Sequence, residues 1–148
     1  PSLIMCAGTT ALGAAITNGD IGVTAWISGG LSPITSHLPV MIMVFIFILW
    51  AAIQTNLSSN IVTATVVSAA ALAVTASITT VNVGALIVNV GMMSAFAFAT
   101  PPAMPCVAIA VSSGWTNTKQ MMVYGFIIMI AAVILSTCIG YPIAAALL

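Results

Sequence analysis

The sequence predicts an all-α integral membrane fold whose helices are interrupted. Three observations carry that expectation: charge is almost absent, apolar runs recur at near-spanning length, and polar or proline-containing breaks cut into them. Of 148 residues, 62% are hydrophobic and 1% are charged, a single Lys119 and a single Asp20. Mean hydropathy is +1.31. A soluble domain is roughly a quarter charged and covers its surface with solvated side chains. This chain has almost none, so the solvent that suits it is lipid. Its net charge is zero, so nothing in it suggests a nucleic-acid or acidic partner.

A spanning helix needs about 20 predominantly apolar residues, and half that length suggests a re-entrant or interrupted segment. Ser2 to Thr17 is apolar and stops at the turn signal Asn18-Gly19-Asp20. Ile21 to Leu31 is short and amphipathic and contains Trp26, and residues 32–37, ending at His37, read as a surface loop. Residues 1–36 thus form a scaffold-like unit. Residues 37–77 form a second unit: Leu38 to Gln54 is apolar, a polar cluster follows at Thr55, Asn56, Ser58, Ser59 and Asn60, and Ile61 to Ser77 is apolar again. In the third unit, residues 81–111, an apolar run from Ala85 to Ala99 meets Thr100-Pro101-Pro102 and then resumes briefly. Proline lacks a backbone donor and pushes the preceding residue out of the α region, so Thr100 is expected to be unwound. Ser112 to Gln120 is the most polar run, and its Lys119 places it on the cytoplasmic side. Residues 119–148 close the chain as a long helix, with a bend expected near Gly140 and Pro142. The chain opens on Pro1 without a basic leader, so no signal peptide is expected, and it starts in mid-pattern as a piece of a longer protein would.

The chemistry on offer is not that of an enzyme. The sequence has no paired carboxylates, no oriented Cys/His pair and no phosphate-binding glycine loop. Cys6, Cys106 and Cys138 lack ligand spacing and read as small buried hydrophobes. Trp26, Trp50 and Trp115 read as belt or packing residues, and the nine methionines as gap-fillers. Thr63, Thr65, Ser68, Thr75, Asn82 and Asn89 read as structural, bonding a neighbouring helix or their own i−4 carbonyl. What remains at the two breaks is hydroxyls, amides and backbone carbonyls. In hydrocarbon, freed backbone groups are tolerated only against protein, water or a ligand. Such groups suit a hard cation such as sodium, and half-helix N-termini suit an anion.

The stretch Thr55-Asn56-Leu57-Ser58-Ser59-Asn60-Ile61-Val62-Thr63-Ala64 resembles the second Ser-Asn-Thr signature of the divalent anion:sodium symporters. That family comprises the sodium-coupled dicarboxylate, citrate and sulfate transporters. Phe96-Ala97-Phe98-Ala99-Thr100-Pro101-Pro102, then Gly114-Trp115 and Lys119-Gln120-Met121, are similar to further family motifs in the same order, and Leu12 to Trp26 aligns upstream. The resemblance implies the C-terminal half of an inverted-repeat, elevator-type transporter, multi-pass in a plasma or inner membrane. It implies a re-entrant hairpin bearing the signature and an interrupted transmembrane helix beside it. Its partners would be a small organic anion, a di- or monocarboxylate, together with the bilayer, the N-terminal repeat and a second copy in a homodimer. Carried over by position, sodium would meet Thr55, Ser58, Asn60 and Ala99, largely through backbone carbonyls, and the anion Ser59, Asn60, Thr100 and Pro101. The chain departs from the pattern at three places: Ile61 replaces the signature threonine, Asn56 stands where an acidic residue is common, and Ala103 where an asparagine is. The reading from a different class is a non-transporting, multi-span membrane subunit that scaffolds a larger complex.

Overall fold

The computed structural model describes residues 39–148 except 76, 77, 79, 101 and 102, together with residues 7, 8, 11, 15, 22, 26 and 29. The expectations for Cys6, Asp20 and His37 lie outside the described residues, as does most of the 1–36 unit. The described chain forms helices α1 (Val40–Leu57), α2 (Asn60–Thr75), α3 (Val83–Ser94), α4 (Pro105–Ser112) and α5 (Thr118–Leu135). A π-helical turn over Ser136–Gly140 then leads into α6 (Tyr141–Leu147). Among the described residues there is no strand. Two helical stretches, Val40–Leu57 and the 30-residue run Thr118–Leu147, are long and apolar enough to cross a membrane. The helices α2 and α3 are apolar but shorter.

Helices α1, α2 and α3 pack on one another and form the core. The buried side chains of α1 are Met43, Val44, Phe47, Ile48, Ala51, Ala52, Thr55 and Asn56, a two-wide stripe at i, i+1, i+4, i+5 and onward. In α2 the stripe is Val67, Ala70, Ala71 and Val74. Alanines in these stripes let the backbones approach closely, which is how helices associate where surrounding hydrocarbon is as apolar as the side chains. From the C-terminal stretch only Met129, Val133 and Tyr141 join the core cluster.

The boundaries differ from the sequence pattern in two informative ways. Helix α1 runs past Gln54 to Leu57, so Thr55 and Asn56 are helical and the break shrinks to Ser58 and Ser59. The polar side chains support the last turn themselves: Asn56 Nδ2 donates to the Ala52 carbonyl at 2.8 Å, and Ser58 Oγ to that of Gln54 at 3.1 Å. Helix α3, by contrast, stops at Ser94, five residues short of Ala99. The reason is tertiary and emerges at the site below.

The bend near Pro142 takes the form of the π turn. Proline at this position cannot donate to a carbonyl four residues back, and the Tyr141 N–H instead reaches the Ser136 carbonyl five back. The widened turn fits around Asn89 of α3, which accepts from Ser136 Oγ at 2.9 Å and donates to the Ala85 carbonyl at 2.8 Å. A Cβ at Gly140 would lie 2.6 Å from Asn89 Oδ1, so a larger residue there would push the Asn89 carboxamide aside. The structural polar residues behave as small local bonds: Thr65 donates to the Ile61 carbonyl and Thr75 to that of Ala71, and Asn82 caps α3 by accepting from the Ala85 N–H. The cysteine expectation is corrected, since Cys106 and Cys138 are both exposed. On helices apolar all round, a small hydrophobe gains nothing from the inner face and occupies the outer one equally well.

Candidate functional site

The two breaks that stand apart in sequence meet in space, and Asn56 joins them. It is 2% exposed, at the inner end of the α1 stripe. Its Oδ1 accepts from the Ala99 N–H at 2.8 Å, and its Nδ2 donates to the Phe96 carbonyl at 3.2 Å. One carboxamide therefore satisfies a donor and an acceptor of the chain after α3, much as a neighbouring strand would. This is why α3 ends early: its continuation finds its partners in a side chain rather than in another helical turn. The main-chain carbonyl of Asn56 accepts from Thr100 Oγ1. Asn56 Nδ2 also lies 3.4 Å from Met129 Sδ on α5.

On the opposite side, α5 presses on the same unwound stretch. A Cβ at Gly125 would lie 2.6 Å from Ala99 Cα, 2.7 Å from the Phe98 carbonyl oxygen and 2.9 Å from Ala99 N. Backbone atoms cannot yield as a flexible side-chain tip can, so the approach is possible only at glycine. The segment Phe98–Ala99 is thus held between Asn56 and Gly125, with Ala97 and Ala99 fully buried.

Next to Asn56, Thr55 is also fully buried. Its Oγ1 donates to the Ser94 carbonyl and lies 2.9 Å from Asn60 Oδ1. A hydroxyl, an amide side chain and a backbone carbonyl converge here, and neutral oxygens of this kind are donors a hard cation takes. Of the four residues expected around sodium, Thr55 and Asn60 therefore converge, and the Ser94 carbonyl joins them. Ser58 is turned aside: its hydroxyl bonds the Gln54 carbonyl and lies 3.3 Å from Thr63 Oγ1. Ala99 is held by its N–H to Asn56.

Beyond the break, a cavity of about 410 Å³ is lined by Ser58, Ser59, Asn60 and Ile61 on one side and by Ala103, Met104 and Pro105 on the other, with Leu57 at its edge. Two helices begin on its walls, α2 at Asn60 and α4 at Pro105. The first N–H groups of a helix have no intrahelical acceptor and carry the positive end of the dipole, so both helices present the end that favours negative charge. Of the residues expected around the anion, Ser59 and Asn60 line this cavity. Thr100 is brought to the same junction, but its hydroxyl donates to the Asn56 carbonyl. Pro101 lies outside the described residues.

The sequence pattern missed Asn56, Ser94, Phe96 and Gly125 as site residues. For Asn56 a signal existed in the polar cluster itself, which it shares with Thr55, Ser58, Ser59 and Asn60. For the backbone of Ser94 and Phe96, and for Gly125, no local signal exists, because their roles depend on which helix lies opposite. Compared with known proteins, the chain matches no family model and no curated protein.

Proposed function

We propose that this chain is half of a sodium-coupled transporter for a small organic anion, embedded in a membrane. In this reading Val40–Thr75 forms a re-entrant hairpin, Val83–Ser112 an interrupted transmembrane helix, and an inverted repeat supplies the rest of the site. The observation that carries it is the meeting of the two helix breaks: Asn56 pairs with the unwound Phe96–Ala99 segment beside a cavity onto which two helix N-termini open. Irregular backbone inside an apolar helical body is sustained where it serves a ligand or lines a cavity, and discontinuous helices at mid-membrane are how transporters bind ions and anions.

The residues divide the work by chemistry. Thr55, Asn60 and the Ser94 carbonyl would offer neutral oxygens to sodium, with the backbone of Ser58 and Ala99 close at hand. Ser59, Asn60, the leading N–H groups of α2 and the Cys106 N–H of α4 (Pro105 has none, and the Val107 N–H bonds the Met104 carbonyl) would receive a carboxylate, and Thr100 would hold the anion site to the hairpin through Asn56. Asn60 belongs to both sets, which gives the two solutes a common residue. Movement of the hairpin and interrupted helix as one body would then carry both across, in an elevator-type mechanism.

The test is sodium-gradient uptake by proteoliposomes of the complete protein, with radiolabelled succinate, citrate and butyrate as probes. Asn60→Ala is expected to lower uptake and weaken its sodium dependence at least tenfold, roughly the effect of removing one hydrogen-bonding partner of a charged group. Uptake and sodium dependence that persist unchanged in both Asn60→Ala and Thr100→Ala would show the site to be wrongly assigned. An absence of gradient-driven uptake in the parent would favour the scaffold reading.

A further inference from the structure

We infer that Asn56 is the positioning residue that couples cation binding to anion binding, an inference that rests on the transport reading above. The oxygens assigned to the cation and the groups assigned to the anion are divided between two elements, the α1–α2 break and the unwound segment after α3. Asn56 touches neither solute in this reading. It is 2% exposed, and its carboxamide is committed to the Ala52 and Phe96 carbonyls and to the Ala99 N–H. Through these bonds and its own carbonyl it fixes Ala99, a cation candidate, and Thr100, an anion candidate, with respect to Thr55 and Asn60. Thr55, bonded to the Ser94 carbonyl, adds a second tie at the start of the unwound segment. Gly125 brings α5 against the same Phe98–Ala99 backbone. A shift of the unwound segment therefore alters both solute positions together.

The amide is chemically specific for this task. A carboxylate would keep the acceptor for Ala99 but place negative oxygen against the Phe96 and Ala52 carbonyls. An alanine would leave the Ala99 N–H and the Phe96 carbonyl without their partner, in a buried place where such loss is costly.

The experiment uses the complete protein, with Cys6, Cys106 and Cys138 replaced by alanine and the buried reporter Ala97→Cys introduced. The labelling rate with a small maleimide is measured against sodium concentration, with potassium balancing the ionic strength, and again with succinate or butyrate added. With Asn56 intact, labelling is expected to be slow and to slow further as sodium rises. In Asn56→Ala the basal rate and the sodium concentration for half-protection are each expected to rise about tenfold, and the added anion no longer lowers that concentration. Asn56→Asp is expected to shift less than Asn56→Ala while also losing the effect of the anion. It serves as the second variant where Asn56→Ala does not fold. Sodium protection and its response to the anion that are unchanged by both variants would overturn the coupling alone. Sodium without effect on the parent would overturn the transport reading itself.

Discussion

Helix α1 and the run from α5 to α6 are both long and apolar enough to cross a membrane, yet they bury very different shares of themselves: 44% of the most apolar stretch of α1 against 22% of its counterpart. In α1 the buried stripe is two residues wide and ends in Thr55 and Asn56. In α5 it is one residue wide, Gly125, Met129 and Val133, continued by Thr137 of the π turn. The outward residues of α5 include Ile127, Ile128, Ile130 and Ile134, all more than half exposed. Equal apolarity thus serves two ends. In α1 it surrounds a polar junction with protein, and in α5 it presents a broad apolar face that meets the rest of the molecule along a single line. The lesson is that the polar positions and the glycine, not the hydrophobicity, mark where each helix touches its neighbours.

That contrast can be broken most sharply at the single line itself. Gly125→Ala places a methyl group inside van der Waals distance of the Ala99 backbone, and overpacking of this kind costs about 1–3 kcal/mol. The expected result is a clear fall in the thermal midpoint in detergent together with faster labelling of Ala97→Cys. An unchanged midpoint would mean that α5 does not press on the unwound segment. A smaller effect is expected at the polar end of α5. There Asn117 accepts from the Gln120 N–H at 2.8 Å while Gln120 Oε1 accepts from the Asn117 N–H at 3.3 Å, a reciprocal capping box. Asn117→Ala should cost about 1 kcal/mol, read as a lowered midpoint without any change at the Ala97 reporter. The smallest effect belongs to the outward face, where Ile128→Val should alter stability by less than about 0.5 kcal/mol. A large loss there would show that this face is covered by a partner, and would erase the distinction between the two helices.

Much of the architecture was legible from composition and punctuation. The helical class follows from apolar runs with almost no charge, and the existence of two breaks follows from the polar cluster at Thr55 to Asn60 and from Thr100-Pro101-Pro102, although the structure narrows the first to Ser58 and Ser59 and starts the second after Ser94. The bend before Pro142 follows from a missing N–H. In the candidate site, the clustering of polar groups at the breaks singled out Thr55, Ser58, Asn60 and Thr100; the fold brings Thr55 and Asn60 together, while the Ser58 hydroxyl bonds the Gln54 carbonyl of its own helix. The early end of α3 was not legible, since nothing in residues 95–99 forbids a helix.

Sequence alone determined that the helices would be apolar all round and that a polar cluster and a proline pair would interrupt them, because those are properties of a residue and its immediate neighbours. It could not say which face of each helix lies inward, since on such helices every face is apolar. Only the tertiary structure decided that, by bringing the Asn56 carboxamide within bonding distance of Phe96 and Ala99 and setting a glycine of α5 where a Cβ could not fit. Hydrogen bonds and close backbone contacts are directional and short-ranged, so their partners, 40 to 73 residues from Asn56 in the chain, are chosen by packing and not by local pattern.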